Sequence, residues 1–424
     1  MSNKTISLLE YEESKPLMKN ELKDLEKFNK FIGIDVFTIT ARGGIKAKQY
    51  VGVCQIGNNT IEVLPKIFSK NDKLKDEQDE EQSKIRKNLL YMLSYTKNLK
   101  FKETDISSLS KNSTLFEAII YLFAKNLIEL LKIDLIRNYE TREENSNLLK
   151  GKLLMSKHLR YNLFNKAKFY SQFDEFTEDN SLNKTFKLTI DKLLKFTQNS
   201  KNFKLLTECN LILQDVTLNK LSINDVEKVK FTRLNKQYEN IFNLAKLLLF
   251  ENSIDLNSKD TKTYSLMFDM NKLFEEFIFE FIRRNFQFRF ENIQSEKPQK
   301  YLFIDSPKFI LKPDITINCN KDNCELIIDT KYKKVNDIKS DKYGVSREDV
   351  YQMFVYSKVY NCKNIILLYP KYEKEIENVV FESEFNFKLH IKTVDLHIDL
   401  IKDKEKLKRE LNTLLNIIQN DIKQ

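Results

Sequence analysis

Two aspartates and a lysine in the last third of the chain have the residue types and spacing of a metal-dependent hydrolytic site. In the segment LKPDITINCNKDNCELIIDTKYK, Asp314 and Asp329 lie at equal distances from a polar turn at Asn320 to Asn323. If the segment folds as a simple hairpin, the two carboxylates are directly opposite each other and project from the same face. Lys331, two residues after Asp329, shares that face. Two carboxylates and one ammonium group therefore converge, provided that no bulge changes the register.

Such a group suits the hydrolysis of a phosphodiester bond. Two like charges side by side on a half-buried sheet cost free energy unless a cation separates them. We expect Asp314, Asp329 and the main-chain carbonyl of Thr330, whose side chain should face away, to bind one or two Mg²⁺ ions, because Mg²⁺ prefers oxygen ligands. Lys331 would orient the attacking water or stabilise charge on the phosphate. The alternative is a surface hairpin whose charged side chains are only solvated.

Helical segments before and after the hairpin carry further candidates. Glu275 and Glu276 interrupt the apolar run LFEEFIFEF, and a carboxylate there could be a third metal ligand. Gln352 and Tyr356 have i, i+4 spacing on one helix face, where they could contact DNA backbone or support the lysine. An ordinary exposed glutamate and a helix-surface pair are the alternatives, and Glu280 competes for the same role as Glu275.

The order of these motifs resembles that of a known nuclease superfamily. Pro313-Asp314, then Asp329-Thr330-Lys331, then QMFVY resemble the PD-(D/E)xK superfamily in the branch that carries a QxxxY motif. The whole chain resembles the McrC family, the nuclease subunits of McrBC modification-dependent restriction systems. The segments that carry this resemblance are YVGVCQIGNNTIEVLPKI, RKNLLYMLSY, LIRNY, LKGKLL, MNKLFEEFI, KPDI and IIDTKYK.

The resemblance implies roles for individual residues. Asp314 and Asp329 would bind Mg²⁺, Lys331 would be the catalytic lysine, and Glu275 would be the helix acid, with Glu276 as the fallback.

The resemblance also implies a protein partner. In McrC-like proteins the N-terminal region docks on a hexameric ring of the AAA+ GTPase McrB and stimulates GTP hydrolysis, while McrB recognises modified cytosine in double-stranded DNA. By this likeness the turn residues Arg42, Gly43 and Gly44, together with Lys46, would face the partner.

The chain itself has neither a GxxxxGK[ST] loop nor a GxGxxG motif, so we expect no nucleotide site in it. GTP hydrolysis would then belong to another subunit. The sequence therefore predicts an Mg²⁺-dependent DNA endonuclease subunit that cleaves modified-cytosine DNA with a GTP-driven partner. Two alternatives remain open at this point: a non-cleaving adaptor that activates the AAA+ ring, and a stand-alone nuclease.

Composition indicates a folded, globular protein, and its positive charge is only weak evidence for a nucleic-acid partner. The chain has 424 residues, a net charge of +10 and 41% hydrophobic residues, which suggests two or three domains and excludes a disordered chain. Its first residues form no secretory signal, and no apolar stretch is long enough to span a membrane, so we expect a cytoplasmic protein without a membrane partner. Five scattered cysteines and three histidines favour neither a disulfide framework nor a zinc site.

Hydrophobic periodicity predicts a mixed α/β (α+β multi-domain) protein with a C-terminal PD-(D/E)xK restriction-endonuclease-like mixed sheet flanked by helices. Strands are expected in FIGIDVFTIT, QYVGVCQIG and NTIEVLPKI. The predicted regions are a β-rich partner-binding module at 1–68, a charged linker at 69–84, a helical middle region at 85–260 and the nuclease domain at 261–424.

Overall fold

The computed structural model describes residues 4–33, 35–56, 59–68, 79–96, 99–111, 113–218, 221–251, 264–303, 306–333, 345–371 and 379–417. The chain divides into two compact units: Met1–Leu115 with Ile254–Gln424, and Phe116–Ser253. Among the described residues no helix combines the length and the apolar character needed to cross a membrane. Most of the predicted linker, 69–78, lies outside the described residues.

The first compact unit begins with a small sheet and its helices. Its elements are β1 (Lys4–Leu9), α1 (Lys19–Ile32), β2 (Phe37–Ile39), β3 (Ile45–Ala47), β4 (Tyr50–Ile56), β5 (Asn59–Leu64), α2 (Asp79–Leu93) and α3 (Glu103–Ser107). The predicted strands that correspond to β4 and β5 are confirmed. The end of the predicted linker is wrong, because residues 79–84 form the first turns of α2.

The first predicted strand, residues 31–40, is also wrong over its first half. Helix α1 runs through Ile32 and ends at Gly33, whose φ of 69° and N–H bond to the Asn29 carbonyl make a left-handed C-cap. Leu25 and Phe28 lie at helical spacing and pack into the core of the N-terminal sheet. This apolar face stabilises α1 up to Ile32, although the residue types of Phe31 and Ile32 favour a strand.

The second compact unit contains helices and a three-stranded sheet. Its elements are α4 (Leu115–Ile133), β6 (Asn138–Ser146), β7 (Lys152–Leu153), α5 (Met155–Asn162), β8 (Phe169–Thr177), α6 (Ser181–Leu194), α7 (Ser200–Ile212), α8 (Ile223–Glu227) and α9 (Glu239–Lys246). The helices predicted in this region are present, but the sheet, with order β6-β8-β7, was not predicted. Strand β6 reads NYETREENS and is almost entirely exposed, so it lacks the alternation of a half-buried strand.

The chain then completes the first compact unit. The remaining elements are β9 (Tyr264–Asp269), α10 (Met270–Phe286), β10 (Ile293–Gln294), β11 (Lys300–Phe303), β12 (Ser306–Leu311), β13 (Ile315–Cys319), β14 (Cys324–Thr330), α11 (Arg347–Val359), β15 (Cys362–Pro370), β16 (Val379–Ser383), β17 (Phe387–Val394) and α12 (Lys404–Leu415). Strands and helices are interspersed here, and the protein is of the mixed α/β class.

Strand β9 belongs to the N-terminal sheet, whose strand order is β1-β5-β4-β9. It pairs antiparallel with β4, so that Tyr50 is opposite Asp269. Gly52 permits this approach: its φ is 135°, and a Cβ atom there would lie 1.9 Å from the Leu266 carbonyl oxygen. The boundary predicted at residue 261 therefore does not separate the N-terminal sheet from the C-terminal region, because residues on both sides of that boundary form one sheet.

The larger sheet is six-stranded and mixed, with the order β10-β13-β14-β15-β17-β16. Strands β13 and β14 form an antiparallel hairpin in which Ile315 is opposite Ile328 and Cys319 is opposite Cys324, which is the register predicted from the sequence. The turn explains this register: the Asn320 side-chain oxygen accepts the N–H groups of Asp322 and Asn323, both at 2.9 Å.

Helix α11 covers the face of the sheet that carries Ile327. Ile327, Ile365 and Leu367 pack in one buried cluster with Met353 and Tyr356 of the helix. Because side chains alternate along a strand, Asp329 continues the row that contains Ile327. The end of β14 therefore brings a carboxylate under α11.

A buried ion pair in the first compact unit gives a test of this fold. Glu62 on β5 accepts two hydrogen bonds from Arg86 on α2, at 2.9 and 2.8 Å, and the Glu62 side chain is fully buried. Arg86→Met should lower the free energy of unfolding by about 3–5 kcal/mol, because it leaves the Glu62 carboxylate buried without a cation. The midpoint of urea unfolding measures this change. Lys27→Met, at the exposed pair of Lys27 and Asp24, should change it by less than about 1 kcal/mol.

Candidate active site

Asp329 and Lys331 form a close ion pair at the end of β14. The Lys331 Nζ atom lies 2.5 Å from Asp329 Oδ2, while the Asp329 side chain is only 1% exposed. The other oxygen of this carboxylate, Oδ1, accepts no hydrogen bond within the described part of the chain. A buried carboxylate in this state has unused ligand capacity, which an additional cation could satisfy.

Asp314 completes the group from the other strand of the hairpin. Its Oδ2 atom accepts hydrogen bonds from the main-chain N–H and the hydroxyl of Thr330, both at 2.7 Å. The expectation that the Thr330 side chain faces away is therefore wrong. Asp314 lies just before β13 begins at Ile315, where its carboxylate is free to turn towards the end of β14.

Helix α11 holds Lys331 through a chain of hydrogen bonds. Lys331 Nζ donates to Gln352 Oε1 at 3.2 Å, and Gln352 Nε2 donates to the Tyr356 hydroxyl at 2.8 Å. The Tyr356 hydroxyl in turn donates to the Lys312 carbonyl at 3.0 Å. Of the two interpretations of Gln352 and Tyr356, the geometry favours support of the lysine. The chain of bonds begins at the lysine and ends on the main chain just before the Pro313-Asp314 motif.

Helix α10 turns Glu275 towards these acids. Glu275 is partly buried, and burial raises its pKa to about 7, helped by the negative charges of Asp314, Glu296 and Asp329. Glu276 is exposed. Glu280 pairs with Arg283 and Arg284 at 2.8 and 3.2 Å, so it is already engaged.

The pKa values at this site show how crowded the negative charge is. Burial, followed by the Asp314 charge, raises the pKa of Asp329 to about 7, against the opposing effect of Lys331. Burial also raises the pKa of Asp314. At Lys331, burial favours the neutral amine, but the nearby Asp329 carboxylate outweighs it and raises the pKa of the ammonium group. An added cation beside these acids would favour their ionised forms.

The donor atoms fit a hard divalent cation with few protein ligands. Within the described ranges, no group of three or more Asp, Glu, His or Cys side chains is close enough to hold a metal ion. Mg²⁺ is commonly bound by only one or two carboxylates and completes its coordination with water and phosphate oxygens. Asp314 and Asp329 meet that requirement. Glu275 remains a candidate ligand on electrostatic grounds only.

Several neighbouring residues were not identified from the sequence. Lys333 lies 3.2 Å from Asp349, a buried acid in the first turn of α11. The Asp349 charge contributes to the raised pKa of both Asp329 and Lys331. Period-2 spacing along TKYKK could have placed Lys333 on the face of Lys331, whereas Asp349 resembles an ordinary helix-start acid behind its N-cap, Ser346.

The residues expected to face a partner lie on the β2–β3 hairpin. Arg42 and Lys46 are exposed, and Gly43 adopts a φ of 78°. Glycine is required at position 44 by the fold itself, because a Cβ atom there would lie 2.5 Å from the Ser14 carbonyl oxygen. The Arg42 and Lys46 side chains are thus accessible to a partner. The two glycines are accounted for by the backbone geometry of the hairpin, without a partner contact.

Comparisons with known proteins agree with one another. A family model described as "McrBC 5-methylcytosine restriction system component" matches residues 45–370. A curated relative, the type IV methyl-directed restriction enzyme EcoKMcrBC of Escherichia coli strain K12, is 24% identical over 319 residues, which cover 69% of this chain and 87% of the relative.

Two solved structures are also similar. The first is a chain of the refined half-complex from a tetradecameric assembly of Thermococcus gammatolerans McrB AAA+ hexamers with bound McrC. It has a TM-score of 0.73 and 25% identity, and the match covers 97% of this chain and 100% of that one. The second, from the McrBC complex of the same organism, has a TM-score of 0.50 and 29% identity, covering 66% of this chain and 88% of that one.

Because the family model matches well over half of its residues, the chain belongs to the family of McrBC 5-methylcytosine restriction system components.

Proposed function

We propose that this chain is an McrC-type subunit, an Mg²⁺-dependent DNA endonuclease that works with a hexameric McrB-like AAA+ GTPase. The observation that carries the proposal is the meeting of Asp314, Asp329 and Lys331 at the end of one hairpin. The order of motifs resembles the PD-(D/E)xK superfamily, and the similar solved chains come from assemblies of McrB and McrC. The family description makes DNA that contains 5-methylcytosine the expected substrate.

The metal site in this proposal consists of Asp329, Asp314 and the Thr330 main-chain carbonyl. Glu275 is a further ligand that would have to approach the two aspartates on metal binding, because the three carboxylates do not form a metal-sized group in the structure. When bound, Mg²⁺ supplies charge neutralisation at the scissile phosphate and lowers the pKa of a bound water. The buried Asp329 carboxylate, whose Oδ1 atom accepts no hydrogen bond from the described residues, supports this assignment.

Lys331 is the catalytic cation in this scheme. Its ammonium group is held beside Asp329, where it stabilises negative charge that develops on the phosphate. Gln352 fixes the direction of the ammonium group and Tyr356 fixes Gln352, so that a flexible side chain keeps one position. A fixed cation contributes more than a mobile one, because little reorganisation is needed during the reaction.

The GTP-driven part of the reaction is assigned to the partner. The chain carries no phosphate-binding loop motif, so the GTPase activity in a complex would come from the AAA+ subunit. We propose that the β2–β3 hairpin, with Arg42, Gly43, Gly44 and Lys46, contacts that subunit.

Removal of Asp329 tests the nuclease assignment. In a reaction with the AAA+ partner, GTP, Mg²⁺ and methylated DNA, Asp329→Ala should reduce double-strand cleavage by more than about 100-fold, the upper value typical for losing a residue that only orients a metal ligand. GTP hydrolysis by the partner should persist. The matched control is Asp322→Ala, in the exposed turn of the same hairpin.

Cleavage that survives Asp329→Ala would refute the site. Cleavage without partner or nucleotide would instead identify a stand-alone nuclease. If the wild-type complex hydrolyses GTP without cutting DNA, the chain is an adaptor.

Tyr356 provides a test of the support for the lysine. Tyr356→Phe removes the hydroxyl that joins Gln352 to the Lys312 carbonyl and should lower kcat for DNA cleavage by about 10-fold with little change in KM. Single-turnover cleavage under saturating DNA measures this effect. Tyr351→Phe, at a 67% exposed position of the same helix, should leave kcat unchanged. A mutant that changes only KM would mean that Tyr356 contacts DNA.

The partner surface can be tested by reversing charge. Arg42→Glu combined with Lys46→Glu should weaken binding to the AAA+ hexamer by at least about 10-fold, equivalent to roughly 1.4 kcal/mol, and reduce stimulation of GTP hydrolysis in parallel. The control is Lys23→Glu with Lys27→Glu, which makes the same charge change on exposed positions of α1. Equal losses in both double mutants would point to general electrostatics and not to the hairpin.

A further inference from the structure

Tyr332 directly follows the proposed catalytic lysine and contacts a different part of the protein. While Lys331 reaches α11, the Tyr332 hydroxyl donates a hydrogen bond to Oε2 of Glu10, which follows β1 of the N-terminal sheet. We infer that Tyr332 and Glu10 are positioning residues through which the N-terminal sheet sets the placement of Lys331. This inference rests on the proposed nuclease function.

Glu10 is fixed firmly enough to act as such an anchor. Its side chain is only 1% exposed. Its main-chain N–H donates to the Leu64 carbonyl at 3.0 Å, and its Oε2 atom accepts the Lys66 N–H at 3.0 Å. These bonds tie the carboxylate to the ends of both β1 and β5. Movement of the N-terminal sheet must therefore carry the carboxylate with it.

The burial of Glu10 is costly for the fold, which argues against an incidental contact. Its Oε1 atom is buried and accepts no hydrogen bond within the described residues, and burial raises the pKa of the carboxyl group to about 7. A buried polar atom without a partner calls for an explanation beyond packing. The carboxyl group is thus kept buried at a cost, and its other oxygen, Oε2, accepts the hydroxyl of the residue next to the catalytic lysine.

The tyrosine also contacts the helix that carries the proposed helix acid. Its ring lies 6.0 Å from the ring of Phe274 between centroids. Phe274 is fully buried and immediately precedes Glu275 on α10. The Tyr332 side chain thus contacts both Glu10 and Phe274 of α10, and the preceding residue in the chain is Lys331. A cavity of about 390 Å³, lined in part by Glu10, Lys66 and Tyr332, gives the ring room to shift if the bond is lost.

Substitutions at the pair test the inference in the intact complex. Tyr332→Phe should lower kcat for cleavage by between about 10-fold and 100-fold with KM nearly unchanged, since a shift of about 1 Å in a catalytic group has effects of this order. Glu10→Ala should have a similar effect. Glu10→Gln keeps an oxygen acceptor for the tyrosine and should restore kcat to within about threefold of wild type. The double mutant Glu10→Ala/Tyr332→Phe should be no worse than Glu10→Ala alone, because the tyrosine hydroxyl then has no contact with Glu10 left to lose.

A second measurement does not depend on activity. The Lys331 N–H donates to the Leu368 carbonyl at 2.9 Å, so its hydrogen exchange reports local opening of this part of the chain. Exchange at Lys331 should accelerate in Tyr332→Phe and in Glu10→Ala but not in Glu10→Gln. The matched control is Tyr238→Phe, which removes another tyrosine hydroxyl hydrogen-bonded to the carbonyls of Leu130 and Asp134. It should leave both kcat and Lys331 exchange unchanged.

Different results would overturn the Tyr332–Glu10 positioning contact and the nuclease function. Unchanged Lys331 exchange in Tyr332→Phe overturns the positioning contact, as does unchanged kcat in a complex that cleaves DNA. An equal loss of kcat in Tyr238→Phe also overturns it, because the effect is then general destabilisation. If exchange accelerates as expected but the wild-type complex never cleaves DNA, the contact stands and the nuclease function falls.

Discussion

The organisation of the proposed site depends on one buried charge, the Asp329 carboxylate. A carboxylate that is 1% exposed needs compensation, and here the Lys331 ammonium group provides it at Oδ2, while Oδ1 accepts no hydrogen bond from the described residues. This constraint explains the position of Lys331, which in turn needs Gln352 and Tyr356 to hold it. It also explains why Asp314 accepts hydrogen bonds from Thr330, because two uncompensated carboxylates at the same end of the sheet would repel each other.

The hairpin could be predicted from the sequence because the residues that determine its turn and register lie close together in the chain. Asn320 to Asn323 form a turn in which one side chain satisfies two main-chain donors, and this turn sets every pairing up to Ile315 and Ile328. The row of Asp329 and Lys331 then follows from strand periodicity. The orientation of Thr330 could not be predicted, because it depends on how Asp314 turns before its strand begins.

Features that depend on distant partners were not accessible from the sequence. The pairing of Glu10 with Tyr332 and that of Lys333 with Asp349 join segments whose proximity arises only from the tertiary fold. Phe31 and Ile32 look strand-like in the sequence, and only the packed face of α1 and the Gly33 cap show that the helix extends to Ile32. In the same way, the polar strand β6 is held by its pairing with β8 and not by a hydrophobic pattern of its own.

The pairing of β4 with β9 has a consequence for biosynthesis. Tyr50 and Asp269 meet across the sheet, so β4 leaves the ribosome long before its neighbour is made. The intervening Phe116–Ser253 segment is a compact unit that can fold during this delay, whereas one edge of the early sheet stays exposed until β9 arrives. Pairing between strands so far apart in sequence is of the kind that slows folding, because the long loop must close before the contact forms.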